Sequence, residues 1–150
     1  MTITDTGPNL SDSDVLELEA RLRFTLPDAY RSFLLEFNGG ISVPDTIHID
    51  GLPGSPTDVQ VFFGIGRAEE TEGIEWNLAS LSERLEEQLL PIACDSGGSV
   101  FCLSLRPHDY GAVFFADLQE VFADFETRRP RMYWIAPDFG GFLQMLRPFD

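Results

Sequence analysis

The side chains able to do chemistry are few and scattered. The only histidines, His48 and His108, lie far apart, with no His-x-x-x-His or Cys-x-x-Cys spacing, so a zinc-type site is not expected. His48 and Asp50, two apart on a strand, would point the same way, which reads as an ordinary surface pair. Cys94 and Cys102 have no histidine near them in sequence and no Gly-x-Ser-x-Gly accompanies them, so no nucleophile is assigned. Gly64-Ile65-Gly66 follows an apolar run as a dinucleotide loop would, but Glu69 stands where the third glycine belongs. Glutamates crowd the following residues and would repel a phosphate. A chain without lysine has no Walker-type phosphate lysine. Paired carboxylates for acid–base work are not arranged recognisably. No catalytic residue, metal or cofactor is therefore expected, and the chain reads as a non-enzyme.

The remaining chemistry is charge. Twenty-five acids against ten bases, all arginine, give a formal net charge of −15. Such a surface repels nucleic acid and anionic membranes, and it draws in basic partners; acidity kept only for solubility is the bland alternative. The acids concentrate in Glu69, Glu70, Glu72 and Glu75, closing on Trp76. A large aromatic inside a charged rim is the usual composition of a protein-binding hot spot. Against this stands a solvated glutamate run with Trp76 anchoring a helix in the core. Asp95 at a hairpin tip and Asp117 after a strand are further acids expected at the surface, as contacts or as turn residues. The candidate partner-binding set is thus Glu69, Glu70, Glu72, Glu75, Trp76, Asp95 and Asp117.

These residues need a scaffold. The length of 150 residues suits one domain, and 43% hydrophobic residues with thirteen phenylalanines supply a core. Residues 1–10 are expected to be flexible and 11–150 to form the domain. No apolar run approaches a membrane span and no signal-peptide pattern is visible, so a cytoplasmic protein is expected. Ser11 and Asp14 have capping-box spacing. Val15, Leu18 and Leu22 make one apolar stripe, and Glu17 can pair with Arg21 on the outer face. Pro27 fits the first turn of a second helix whose buried face is Tyr30, Phe33, Leu34 and Phe37, ending at Asn38-Gly39-Gly40. Thr46 to Asp50 and Val59 to Ile65 read as strands around a Pro/Gly loop. Leu78, Leu81 and Leu85 place a third helix over Asn77 to Glu87.

Leu89 to Leu105 reads as a hairpin around Asp95-Ser96-Gly97-Gly98. Pairing Cys94 with Ser99 sets Ile92 opposite Phe101 and Leu90 opposite Leu103. The cysteines then point to opposite faces and cannot bond. Ala112 to Ala116 adds a strand, Met132 to Ile135 an edge strand or lead-in, and Phe139, Phe142, Leu143 and Leu146 a closing helix. The fold class is α+β: a mostly antiparallel sheet with helices on one face.

Four stretches in this order resemble the SMI1/KNR4 (SUKH) superfamily. They are the early helix with Glu19, then Leu26-Pro27, Tyr30, Phe33-Leu34 and Asn38-Gly39-Gly40; Phe62-Phe63-Gly64; Leu90-Pro91-Ile92-Ala93-Cys94-Asp95 with Gly97-Gly98 and Phe101-Leu103; and Gly111 to Phe115 with the closing helix. The likeness runs from Ser11 to Leu146, and Asp124 to Arg131 departs most from the pattern. The resemblance implies an α+β fold and no shared catalytic residues. Bacterial members are mostly read as immunity proteins that bind a cognate toxin, often a nuclease. Other members are regulatory or housekeeping interaction modules, which is the alternative. The expected partner is a cognate toxin or other basic protein, with no nucleic acid and no membrane, the chain being a monomer or weak dimer.

Overall fold

The computed structural model describes residues 1–119 and 129–150. Helix α1 spans Asp12–Leu22, capped as expected: the Asp14 amide donates to Ser11 Oγ at 3.2 Å and the Ser11 amide to Asp14 at 2.8 Å. Arg21 does not pair with Glu17 as its spacing suggests; its guanidinium reaches a glutamate 54 residues away. Helix α2, Asp28–Phe37, has Pro27 at its N-cap and Asn38 at its C-cap, in the left-handed conformation at φ 54°. Buried Glu19 ties the two helices together, accepting from the Leu26 amide at 2.6 Å and from Arg31.

Two short ribbons precede the main sheet. Strand β1, Thr2–Thr4, pairs antiparallel with β2, Ile41–Val43, and β3, Thr46–Ile47, with β4, Thr57–Asp58. The N-terminal residues, expected to fray, thus include a paired strand. Ile3 faces inward against the protein while Thr2 and Thr4 stay exposed. The second sheet segment is shorter than the apolar pattern suggests, with β3 ending at Ile47, although Ile49 is buried.

The main sheet is an antiparallel meander of β5 (Val61–Phe62), β6 (Leu89–Cys94), β7 (Val100–Ser104), β8 (Val113–Asp117) and β9 (Arg131–Ala136), in that spatial order. Met132 to Ile135 therefore belongs to an edge strand. Residues 124–128 of the divergent segment lie outside the described residues, and Arg131 opens β9. In the central hairpin Leu90 pairs with Leu103, as expected. A bulge between Pro91 and Ala93 then shifts the register, so Ala93, not Ile92, pairs with Phe101, and Cys94 pairs with Val100, not Ser99. A one-residue shift reverses the facing of everything beyond it. Cys94 consequently shares a face with Cys102 instead of opposing it. Both thiols are free; they sit opposite Val100 and Pro91, not opposite each other.

Helices cover the face carrying Phe101 and Phe115. Helix α4, Phe139–Gln144, is capped by Asp138, whose carboxylate accepts from the Gly141 amide at 2.7 Å. Phe142 packs at a tilt on Phe101 at 5.1 Å and Phe139 meets Phe33 edge-on at 5.0 Å, joining α2, α4 and the sheet in one aromatic core. Helix α3 runs Ile74–Ser80, three residues earlier than the leucine spacing predicts, so Trp76 lies in its first turn and residues 81–87 form turns.

Candidate functional site

The acidic loop is held rigidly at its base. Gly64 and Gly73 form a parallel bridge, with the Gly64 amide donating to Glu72 O at 3.0 Å and the Ile74 amide to Gly64 O at 3.0 Å. Asn38, at the end of α2, locks the loop to the body. Its Nδ2 donates to Pro8 O at 3.0 Å and Ile65 O at 2.7 Å, while its Oδ1 accepts from the Ile65 amide at 2.8 Å. A β-carbon on Gly64 would lie 2.4 Å from Asn38 O, so glycine is required for this approach. Asn77, buried in α3, donates to Thr71 O and Gly73 O and fixes the far end of the loop.

The four glutamates divide into two kinds. Glu72 turns inward to the almost fully buried Arg67 at 2.7 Å, and Asp5 stands 3.8 Å from the same guanidinium. Glu75 receives a two-pronged hydrogen bond from Arg21, at 2.7 and 2.9 Å, which links α1 to α3. That bond, with a smaller contribution from the charge of Glu17, holds the Arg21 guanidinium above its ordinary pKa. Glu69 and Glu70 are exposed and carry no ion pair among the described residues. Trp76 is 41% exposed, and the core anchor of α3 is Ile74 instead. The loop therefore presents two unpaired carboxylates and an indole on a braced frame.

Asp95 and Asp117 do not join this surface. Both are buried. Asp95 closes the hairpin loop, accepting from the Gly97 and Ser99 amides at 3.1 and 2.8 Å and from Thr57 Oγ1 at 2.7 Å. Asp117 accepts from the Gln119 amide at 3.0 Å. Asp95 is a turn residue whose carboxylate is taken up by nearby amides and a hydroxyl, and Asp117 is the last residue of β8, so neither is the exposed acid expected.

The other chemically capable groups are ordinary. His48 lies 3.3 Å from Asp50 on an open surface. Among the described residues no group of three or more His, Cys, Asp or Glu could hold a metal ion, and no helix is long and apolar enough to cross a membrane. Burial pushes the Cys94 thiol up to about 11, helped by the Asp95 charge, and Cys102 up to about 12, so both are protonated and weakly nucleophilic.

Beside the acidic loop lies a groove of about 530 Å³ that the sequence pattern did not single out. Leu78 and Leu81, whose spacing serves only to place a third helix, are half-buried and form its floor with Leu22 and Leu85. The signal was present in those leucines, but periodicity gives a face and not its covering.

The pattern of the SMI1/KNR4 family (SUKH-1) matches residues 9–145. No curated protein matches the chain.

Proposed function

As this chain belongs to the SMI1/KNR4 family (SUKH-1), we propose that it is an immunity-type protein that binds a cognate basic toxin domain and occludes it. The observation that carries this reading is the braced surface of Glu69, Glu70 and Trp76, two unpaired carboxylates beside an exposed indole. Nuclease surfaces are basic because they bind phosphate, and an acidic binder competes for the same field. Trp76 supplies the desolvated anchor, and the glutamates with the net charge of −15 supply the capture rate. A rigid loop loses little entropy on binding, which favours affinity. No reacting group is required of the protein: it acts by covering the partner's substrate groove.

The test is to co-express the chain with the product of the neighbouring reading frame and measure binding and rescue of toxicity. Trp76→Ala is expected to weaken binding by about 30-fold, on the scale of an aromatic hot spot. A neighbouring toxin that is neither bound nor neutralised would remove the reading and favour a regulatory interaction module of the same fold.

A further inference from the structure

The groove beside the acidic loop has walls from α1 and the 74–87 segment and a floor of Leu22, Leu78, Leu81 and Leu85. Its volume, about 530 Å³, falls in the roughly 300–1,000 Å³ range of binding clefts. Its charged lining is unequal: Glu75, Glu86 and Glu87 against the single base Arg21. Glu75 and Arg21 are paired, and Glu86 meets Arg106 at 2.9 Å, while Glu87 is exposed and unpaired among the described residues. The rim has already shown which ion it accepts, since Arg21 lies along it with its guanidinium held in two-pronged fashion by Glu75.

We propose that this groove seats a basic amphipathic helical segment of the partner protein, its apolar side on the leucine floor and its arginines or lysines at the glutamate rim. The proposal rests on the reading of a cationic partner and adds where and by what chemistry it is held. The lining comes from α1, α3, the turns at 81–87 and the interior strand β6, with no edge strand for a partner strand to join. An apolar floor between charged edges is instead the complement of a helix with apolar side chains at i, i+4 and i+7. Arg21 is then an internal competitor for Glu75. Removing its charge should help a cationic ligand, an effect no purely structural role for Arg21 would produce.

The probe is a labelled helical peptide of about four turns, leucines along one side and arginines flanking them, with a twin in which every arginine is glutamate. Binding to the full chain is read by fluorescence anisotropy at low salt. The arginine peptide is expected to bind at least about tenfold more tightly than its twin. Leu81→Arg, placing a charge on the floor, should weaken it by at least about tenfold, and Glu87→Arg at the exposed rim by about threefold. Arg21→Gln should strengthen it by about threefold, and Phe149→Ser, on an exposed terminal side chain, should leave it unchanged. Equal binding of the two peptides overturns the proposal, as does unchanged affinity in both Leu81→Arg and Glu87→Arg. Sedimentation as a dimer that Leu81→Arg dissolves would make a second copy the occupant and also overturn it. Should a toxin be identified, binding lost in Trp76→Ala but intact in Leu81→Arg and Glu87→Arg removes the groove and keeps the immunity reading. Binding lost in none of them removes both.

Discussion

Replacing Asn38 tests how the acidic loop is held. The side chain is buried, with 1% exposure, and makes three hydrogen bonds to backbone groups of Pro8 and Ile65. Asn38→Ala removes those three hydrogen bonds, at about 1 kcal/mol each. Alanine must also adopt φ 54°, costing about another 1 kcal/mol. The expected loss is about 4 kcal/mol, a large share of the roughly 5–15 kcal/mol that stabilises a domain. Asn38→Gly tolerates the backbone conformation and should lose less; Asn38→Asp keeps the acceptor for the Ile65 amide but sets carboxylate oxygens against two carbonyls, and should lose about as much as alanine. Urea unfolding gives the stabilities, and amide exchange at Ile65 reports the loop directly. A loss below about 1 kcal/mol in Asn38→Ala, with Ile65 protection unchanged, would refute the claim that this residue ties the loop to the body.

Three further outcomes follow from the geometry. Cys94 and Cys102, with thiols raised to about 11 and about 12, should be alkylated far more slowly at pH 8 than in the unfolded chain. Their folded pKa values lie above that of an ordinary thiol, about 9, so the folded state holds more protons above that pH; stability should be level below about pH 9 and fall as pH rises through the folded values, which an alkaline melting series would show. Gly40 has φ +127°, and a β-carbon there would lie 2.5 Å from Thr4 O, so Gly40→Ala should cost more than about 2 kcal/mol and release β1, measured as lost amide protection at Thr2–Thr4. Asp109 is held below the ordinary carboxylate range because hydrogen bonds from Arg106 and Ser104 outweigh its burial; its stabilisation should be present above the unfolded pKa and lost as pH falls through the folded one, a component of acid unfolding that Asp109→Asn removes.

What sequence could reveal here was local. The Ser11–Asp14 box, the Asn38 cap and the apolar face of α2 depend on neighbours a few residues away, and they appear where spacing places them. The misplaced features depend on distant partners. Thr2–Thr4 has the alternation of a strand, yet it becomes one only through pairing with Ile41–Val43. The bulge at Pro91–Ala93 moves Cys94 to the other face because a loop rich in serine and glycine closes in either register. Of the leucines at helical spacing, Leu78 lies in α3 while Leu81 and Leu85 fall beyond it, since α3 starts at Ile74 beside the Gly64–Gly73 bridge and ends at Ser80. In the candidate site the glutamates and Trp76 were legible as types, whereas their pairing was not: Arg21 and Arg67 decide which carboxylates remain free, and Arg21 lies 54 residues from Glu75 in sequence. Asp95 and Asp117 reverse the expectation because exposure belongs to the folded hairpin, not to the residue.

The most direct measurement is the association rate of the chain with the product of the neighbouring reading frame, the partner proposed above, followed as ionic strength rises from about 50 to about 300 mM. An acidic capture surface predicts a steep fall in the on-rate, a shallower salt dependence in a Glu69→Gln, Glu70→Gln double variant, and faster dissociation in Trp76→Ala. An on-rate indifferent to salt, with both variants behaving as the unaltered protein, would contradict it.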